Sequence, residues 1–339
     1  MASAVLLYIL IRVELKQVKQ NGQFIQYLCG GTSAMTTAAK TVLKMGAREL
    51  ELGGKHLELL RDSNDLLDDV PALRARMAED GYLFLRGLQK RENVLAARRL
   101  LLERLDQNSQ IDRAFPLLDG VVKPGGKGAF LGGAQALTHT PEFLGVVESP
   151  EILGFFDRFL GEKSLTFDYK WLRAVGPGGN TGAHYDMVYM GRGSERLYTC
   201  WTPLGDIPLE QGTLALLQGS HNLESYQRLR DTYGRMDVDR DNVQGWFSND
   251  PLEMVERFGG QWRTAEFQMG DVLLFGMFTL HGSTNNTSNR YRLSSDTRYQ
   301  PAADRVDERW VGKNPIAHYA WGKGDNKVSM EEARKKWGV

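Results

Sequence analysis

The amino-acid sequence predicts an α+β protein in which helices come first and an antiparallel barrel or sandwich follows. Between residues 60 and 162, segments such as RENVLAARRLLLERLDQN place apolar residues at helical spacing. From Ser164 onwards the pattern changes to short apolar strands separated by turns, among them SLTFDYKWLRAV, RLYTCWTPL and DVLLFGMFTLHGS. A run of helices followed by a run of strands is typical of α+β architectures. We expect the barrel to carry the functional site.

The early elements have their own start and stop signals. The segment SNDLLDDVPALRARMAEDG begins with cap-type residues, has Pro71 near its first turn and ends at Gly81, which is typical of a helix. YLFLRGL then reads as a short apolar strand. Two shorter helices are predicted for TPEFLGVVES and PEILGFFDRFLG, and Gly161 ends the second. These helices form the predicted N-terminal flank of the strand-rich region.

The composition is that of a globular protein without a charge bias. Of the 339 residues, 42% are hydrophobic and 25% are charged, and 42 Lys and Arg residues balance 42 Asp and Glu residues. Because there is no excess of basic residues, we expect neither nucleic acid nor a membrane as a partner. We expect a small-molecule substrate instead. The two cysteines, Cys29 and Cys200, are too few for a disulfide framework, which favours a cytoplasmic location. The sequence leaves the oligomeric state open.

Both ends of the chain and one internal stretch are predicted to lie outside the core. The N-terminal apolar run AVLLYILI has about eight residues, whereas a membrane-spanning helix needs roughly 20. We interpret residues 1–55 as a peripheral N-terminal segment, with disorder as an alternative, and residues 321–339 as a C-terminal tail. The polar stretch 222–261 interrupts the predicted strands, and we expect it to form a substrate-facing lid.

A histidine and an aspartate stand two residues apart in GAHYDMVY. In an extended backbone, His184 and Asp186 point to the same side. His281 lies about 95 residues further on, at the end of the apolar run DVLLFGMFTL. One His-x-Asp pair with one distant histidine is the composition of the two-histidine, one-carboxylate triad that holds non-haem Fe(II) and leaves positions open. The alternatives are a loop cap for Asp186 and a carbonyl-bonded, strand-end histidine for His281.

An arginine follows His281 by eleven residues and opens the run RLSSDTR. Strand alternation puts four polar residues on one face, namely Arg292, Ser294, Asp296 and Arg298. Arg292 with Ser294 suits a dianionic cosubstrate, because a guanidinium binds a carboxylate through two hydrogen bonds and the serine supplies another donor. At ~3.3 Å per residue, Arg298 lies roughly 20 Å from Arg292, so the spacing favours Arg292 as the anchor.

Together these motifs resemble the phytanoyl-CoA dioxygenase family of Fe(II)/2-oxoglutarate-dependent oxygenases. The similar segments are HYD, CWTPLGDIPLEQGTLALLQGSHN and FQMGDVLLFGMFTLHGSTNNTSNRYRLSSDTRYQ, with DGYLFLRGL upstream as the entry strand. They cover roughly residues 80–301. The resemblance implies a double-stranded β-helix core (jelly-roll or cupin-like) with flanking N-terminal helices. It also implies a dioxygenase domain at 56–320, with its helical flank at 56–162 and its β-helix core at 163–301.

The resemblance assigns roles to individual residues. It makes His184, Asp186 and His281 the catalytic iron ligands. It makes Arg292, together with Ser294, the binding site for the distal carboxylate of 2-oxoglutarate. These roles are expectations that follow from the family and from the positions of the matching motifs.

The same resemblance implies the cofactors and the reaction. Trp201 matches a family tryptophan on the strand that lines the cosubstrate pocket, with an ordinary core tryptophan as the alternative. The implied cofactors are Fe(II), 2-oxoglutarate as cosubstrate and dioxygen (O2). The implied reaction hydroxylates a small organic substrate and releases succinate and CO2. Because related halogenating enzymes leave out the ligand carboxylate, Asp186 favours hydroxylation.

Other interpretations were weighed against this one. A non-catalytic double-stranded β-helix protein that binds a ligand or partner would be favoured by loss of a triad residue or of the arginine, and none is lost. A cupin-type metalloenzyme usually has a denser His-x-His pattern. Asp237, Asp239 and Asp241 begin like a calcium loop, but Asn242 and Ser248 replace the required Gly and Glu. We interpret that stretch as a charged, solvated loop.

Overall fold

A computed structural model describes residues 40–126, 129–130, 135–319 and 328–339. The apolar run near the N-terminus, and the interpretation placed on it, lie outside these residues. The described residues belong to a compact unit that spans Lys40–Val339. Within the described ranges, no helix has the length and apolar character needed to cross a membrane.

Two sheets form the core. The strands in chain order are β1 (Val42–Met45), β2 (Arg48–Glu51), β3 (Leu57–Leu59), β4 (Tyr82–Leu85), β5 (Ala129–Phe130), β6 (Ser164–Thr166), β7 (Trp171–Val175), β8 (Tyr198–Pro203), β9 (Leu214–Gln218), β10 (Gln261–Thr264), β11 (Val272–Gly276), β12 (His281–Ser283) and β13 (Arg292–Pro301). The larger sheet has the order β4-β11-β8-β13-β7-β5, with β6 paired to β13, and the smaller has the order β12-β9-β10-β3. Strands β1 and β2 form a separate hairpin.

Of the nine α-helices in the described residues, five come before β6 and four lie between or after the later strands. They are α1 (Val70–Asp80), α2 (Arg91–Gln107), α3 (Gln135–Thr138), α4 (Pro141–Val147), α5 (Pro150–Leu160), α6 (Met187–Met190), α7 (Gln227–Asp231), α8 (Pro251–Phe258) and α9 (Met330–Trp337). Short 3-10 turns occur at Asn64–Leu66, Leu117–Asp119, Glu224–Tyr226, Tyr233–Arg235 and Glu308–Trp310. The segments predicted as helices before residue 162 correspond to α1, α2, α4 and α5.

The strand order confirms the predicted double-stranded β-helix. From β8 onwards the chain passes between the two sheets, since β8, β11 and β13 belong to the larger one and β9, β10 and β12 to the smaller one. Side chains from both sheets meet in one buried cluster, which includes Trp201 and Phe275 of the larger sheet and Leu216 of the smaller. This is the jelly-roll arrangement, in which two antiparallel sheets enclose an interior that can hold a ligand.

The helical flank covers the opposite face of the larger sheet. Leu101 of α2 shares a buried cluster with Leu172 and Leu293 of the sheet. Phe156 of α5 stacks on Tyr299 of β13 with ring centroids 4.1 Å apart. Because the helices occupy this face, the inward face of the same strands is left for the functional site.

Strand β13 is buried over its whole length. It pairs with β7 on one side and with β8 on the other. The two faces of the strand differ in chemistry. On the outward face, Leu293 and Tyr299 pack in apolar clusters with the helices. The inward positions are the four polar residues that strand alternation predicts to share a face, Arg292, Ser294, Asp296 and Arg298, and all four are buried. This strand therefore carries charged side chains into the interior.

The hairpin β1–β2 differs from the predicted peripheral segment 1–55. Met45 and Leu50 are buried in a core cluster that also contains Trp262 of the smaller sheet. The Lys44 carbonyl accepts a hydrogen bond of 2.7 Å from the Asn285 amide. The folded domain therefore begins before residue 56, because a short alternating segment supplies apolar side chains to the core.

Two further stretches are more buried than their composition predicts. Residues 328–339 of the predicted C-terminal tail contain helix α9, in which Met330 is buried and Arg334 pairs with Glu253 of α8. Part of the stretch 222–261, which was predicted to form a lid, packs into the core instead. Tyr226 and Tyr233 are fully buried in the main core cluster.

We predict that the hairpin contributes to global stability. Met45→Ala should lower the free energy of unfolding by about 2–5 kcal/mol, because it removes a side chain that is 3% exposed from a packed cluster. Val42→Ala is the matched control on the same strand, since Val42 is 50% exposed, and it should change stability by less than about 0.5 kcal/mol. Urea unfolding followed by circular dichroism measures both. Equal, small effects would show that the hairpin does not pack on the domain.

Candidate functional site

The backbone brings the two predicted histidines together. Residues His184 and His281 form an antiparallel bridge in which each amide donates to the carbonyl of the other at 3.0 Å. Their ring centroids are 4.1 Å apart. His281 begins β12 rather than ending the preceding apolar strand. Gly282 allows the approach, because a Cβ there would lie 2.8 Å from the carbonyl oxygen of Thr181.

The third residue, Asp186, lies between the two rings. Its Oδ1 is 3.9 Å from Nε2 of His184 and 3.8 Å from Nε2 of His281. One potential ligand atom from each residue lies within 4.8 Å of the others. Asp186 directly precedes α6 but makes no side-chain capping bond, so the alternative of a loop cap is not observed. All three residues are buried.

Both imidazoles are oriented by main-chain carbonyls. Nδ1 of His184 lies 2.9 Å from the Gly182 carbonyl, and Nδ1 of His281 lies 3.0 Å from the Thr279 carbonyl. A carbonyl can only accept, so Nδ1 carries the proton and the lone pair of Nε2 points towards Asp186. Metal-binding histidines commonly donate their other ring N–H to a carbonyl in this way. The carbonyl-bonded histidine considered for His281 is thus compatible with metal binding.

The ionisation states also suit a cation. Burial is the main cause that lowers the pKa of His184, to about 3, with a further contribution from His281. Burial likewise lowers the pKa of His281. For Asp186, burial alone would raise the pKa, but the Arg298 guanidinium, the two imidazoles and the hydroxyl of Thr199 together hold it below its usual range. Two neutral imidazoles and one carboxylate are the donor set of a non-haem Fe(II) site, so these residues fit the predicted metal.

The two oxygens of Asp186 have different partners. Oδ2 accepts hydrogen bonds from Thr199 Oγ1 at 2.5 Å and from Arg298 Nη2 at 2.9 Å. Oδ1 is the oxygen that faces both imidazoles. Arg298 is in turn bound by the carbonyl and the carboxylate of Asp296. Sequence reasoning noted that Arg298 shares a face with Arg292 but placed it away from the site, and it gave no signal for Thr199.

Arg292 is a buried cation without a carboxylate partner among the described residues. It is 1% exposed, and its Nη1 donates to Ser294 Oγ at 2.5 Å. Its Nε is buried and has no hydrogen-bond partner. Burial lowers the pKa of Arg292 to about 10, with a further contribution from Arg173. A desolvated guanidinium with an unused donor fits a carboxylate supplied by a ligand.

Trp201 lies beside this arginine. The guanidinium carbon of Arg292 is 5.9 Å from the centre of the Trp201 ring, and Phe267 packs against the ring at 4.7 Å. The indole Nε1 is buried without a hydrogen-bond partner. Two unsatisfied donors therefore stand near each other, which a bound polar ligand would explain.

A cavity of about 270 Å³ opens beside the proposed metal ligands, and His184 and Asp186 both line it. Three aromatic residues line it, together with two arginines and a histidine: Trp171, Tyr189, Trp246, Arg173, Arg298 and His318. Trp246 comes from the stretch 222–261, so only a small part of that stretch faces the site. Arg292 does not line this cavity. The arginine without a carboxylate partner and the open cavity are therefore two separate parts of the site.

The stretch predicted as a charged, solvated loop is instead a buried ion-pair network. Asp237 accepts from Arg192 at 2.6 Å. Asp239 accepts from Arg309 at 2.5 Å and lies 2.9 Å from Nδ1 of His318. Because these carboxylates are occupied by cationic side chains, the calcium interpretation is not supported by their contacts.

Comparison with known proteins gives three findings. A family model described as Phytanoyl-CoA dioxygenase (PhyH) matches residues 77–294. The 1-deoxypentalenic acid 11-beta-hydroxylase of Streptomyces exfoliatus is 27% identical over 261 residues, covering 71% of this chain and 85% of the relative. The enzyme of that name from Streptomyces arenae is 28% identical over 270 residues, with the same coverage. Among solved structures, EctD from S. alaskensis with 2-oxoglutarate and 5-hydroxyectoine is 17% identical, covers 84% of this chain and 91% of its own, and has a TM-score of 0.49.

The two buried arginines of β13 should respond oppositely to removal of charge. Arg292→Met should raise the free energy of unfolding by about 0.5–2 kcal/mol when no ligand is added, because a guanidinium whose pKa falls on folding costs stability at neutral pH. Arg298→Met should lower it by about 3–5 kcal/mol, because it leaves buried carboxylates unpaired. Urea unfolding of the metal-free protein measures both. A loss of stability in Arg292→Met as large as in Arg298→Met would refute the assignment of Arg292 as unpaired.

Proposed function

The chain belongs to the phytanoyl-CoA dioxygenase (PhyH) family, and on that basis we propose that it uses non-haem Fe(II), 2-oxoglutarate and dioxygen to hydroxylate a small organic substrate. The observation that carries the proposal is the convergence of His184, Asp186 and His281 in one buried cluster. Two relatives that are named hydroxylases support the type of reaction. When bound, iron, 2-oxoglutarate and dioxygen supply the oxidation of a C–H bond, with release of succinate and CO2.

In this proposal His184, Asp186 and His281 hold the iron. The hydrogen bonds from each Nδ1 to a carbonyl fix the rings, so that both Nε2 atoms are ready to bind without a change of tautomer. Asp186 contributes Oδ1 and a negative charge that partly neutralises the cation. Because the three side chains are already oriented by the protein, metal binding needs little reorganisation.

The 2-oxoglutarate site is proposed to include Arg292, Ser294 and Trp201. The guanidinium of Arg292 would pair with the distal carboxylate, and the hydroxyl of Ser294, already bonded to Arg292, would add a donor. The Trp201 ring would form an apolar wall beside the chain of the cosubstrate. An arginine is suited to this task because its planar fork matches the geometry of a carboxylate.

The substrate is proposed to occupy the cavity lined by Trp171, Tyr189 and Trp246. These rings would hold an apolar body next to the metal and exclude water from it. A volume of about 270 Å³ favours a compact organic molecule over an extended one. A reducing cytoplasm is the proposed compartment, supported by the free thiol of buried Cys200.

We expect the protein to form a visible charge-transfer band when Fe(II) and 2-oxoglutarate are added without oxygen. His184→Ala or His281→Ala should abolish the band, because each removes one of the proposed ligands. His139→Ala is the matched control, since His139 is exposed and its ring bonds the carbonyl of Gln135 on α3. Normal iron binding in the double variant of His184 and His281 would refute the proposed site.

The alternative of a non-catalytic β-helix protein makes a different prediction. An oxygenase of this class converts some 2-oxoglutarate to succinate in air when Fe(II) is present, whereas a binding protein converts none. Mass spectrometry of candidate substrates for the gain of one oxygen atom then identifies the substrate. The wild-type protein and His184→Ala are compared in the same assay, so that conversion by free iron is subtracted.

A further inference from the structure

We propose that Arg298 is a positioning residue that restricts Asp186 to one metal-binding oxygen and so keeps a coordination position open for dioxygen. The inference rests on the proposed function and adds to it a role for a residue to which the family resemblance assigns none. Arg298 follows Arg292 by six residues on the same inward face of β13. The two arginines would therefore have separate tasks at the same centre.

The geometry of Asp186 suggests the restriction. A carboxylate binds a metal through one oxygen or through both. Here Oδ2 already accepts two hydrogen bonds, from the Arg298 guanidinium at 2.9 Å and from the Thr199 hydroxyl at 2.5 Å. Oδ1 has no such partner and faces the two imidazoles. A metal between the three residues would therefore be bound by Oδ1 alone.

The number of oxygens matters because the coordination positions are few. Two histidines and a monodentate carboxylate leave positions for 2-oxoglutarate, which binds through two oxygens, and for one further ligand. If Asp186 also bound through Oδ2, that last position would be filled by the protein. Dioxygen would then have no place at the metal. The hydrogen bonds to Oδ2 thus protect a position that the proposed reaction requires.

Several contacts fix the side chain of Arg298 beside Asp186. Its Nη1 donates to the carbonyl of Asp296 at 2.6 Å and to its carboxylate at 3.2 Å. Its guanidinium carbon lies 4.4 Å from the centre of the Trp171 ring. Asp296 is fixed in turn by a two-bond contact with Arg173, at 2.9 and 2.7 Å. Arg298 itself is 2% exposed, so water does not compete for its hydrogen bonds.

The four charges alternate in sign from Asp186 through Arg298 and Asp296 to Arg173. Both arginines of this row line the substrate cavity. A direct role of Arg298 in binding substrate is therefore the main competing explanation, and a purely structural role is the other. Neither of these predicts a change at the metal in the absence of substrate.

The test counts water molecules on the metal with Mn(II) in place of Fe(II). Water bound to Mn(II) increases the relaxation rate of the solvent protons, and the enhancement grows with the number of bound waters. With saturating 2-oxoglutarate and no substrate, the wild-type protein should retain one exchangeable water. Arg298→Met should lose it, because Oδ2, left with the neutral Thr199 hydroxyl as its hydrogen-bond donor, takes the place of the water. 2-Oxoglutarate should still bind in this variant, since Arg292 is intact.

Matched variants separate positioning from folding. Arg98→Met is the control, because Arg98 is also buried but its hydrogen bonds go to the carbonyls of Leu118 and Leu204. It should keep the wild-type relaxation enhancement. If Arg298→Met fails to fold, Arg298→Gln carries the test, because a glutamine keeps a polar side chain beside Asp296 but has no charge and is shorter, so that it does not replace the guanidinium at Oδ2 of Asp186. We expect the same loss of one water.

Retention of the bound water in folded Arg298→Met or Arg298→Gln would overturn the inference. The proposed function is judged separately in the same experiment. If the wild-type protein binds no Mn(II), or if His184→Ala binds Mn(II) as tightly as the wild-type protein does, then the proposed metal site is wrong. If wild-type binding is normal and His184→Ala abolishes it, while the Arg298 variants keep the water, only the role of Arg298 is wrong.

Discussion

Burial of charge along one strand is the constraint on which the site depends. Strand β13 runs through the larger sheet with neighbours on both sides, so its inward side chains have no access to bulk water. Two of these side chains are arginines and one is an aspartate. A buried charge is tolerated when it is paired and is costly when it is not. The positions of Arg173 and Asp186 follow from this rule, because each pairs with a charge of β13.

The same rule on buried charges shows which charge of β13 needs a partner from outside the protein. Asp296 pairs with Arg173 and Arg298, and Arg298 pairs with Asp186 and Asp296. Arg292, in contrast, has a serine and an aromatic ring but no carboxylate partner among the described residues. The three residues at the proposed metal site show the same pattern, since each has its outer atoms bonded and its inner atom unused. The protein thus has unsatisfied polar atoms at the places where a cation and a dianion would bind. Such atoms lower the stability of the ligand-free fold, which is common in preorganised sites.

The sequence predicted the parts of the site that depend on short spacings. His184 and Asp186 stand two residues apart, and Arg292 and Ser294 follow strand alternation, so local geometry places each pair. Arg298 was missed because distance along an extended strand says nothing about what another segment brings to its far end, and the loop after β7 brings Asp186 there.

The stretch 222–261 was misread for a different reason. Its average composition is polar, but Tyr226 and Tyr233 pack inward, and the hydrophobic periodicity is broken by short turns.

In the proposed enzyme, Arg292 binds the distal carboxylate of 2-oxoglutarate. Calorimetric titration of the Mn(II)-loaded protein with 2-oxoglutarate and with 2-oxopentanoate, which lacks that carboxylate, tests it most directly. We expect wild-type binding of 2-oxoglutarate to be stronger by about 2–5 kcal/mol, and this difference to vanish in Arg292→Met. Equal affinities of the wild-type protein for the two acids would contradict the account.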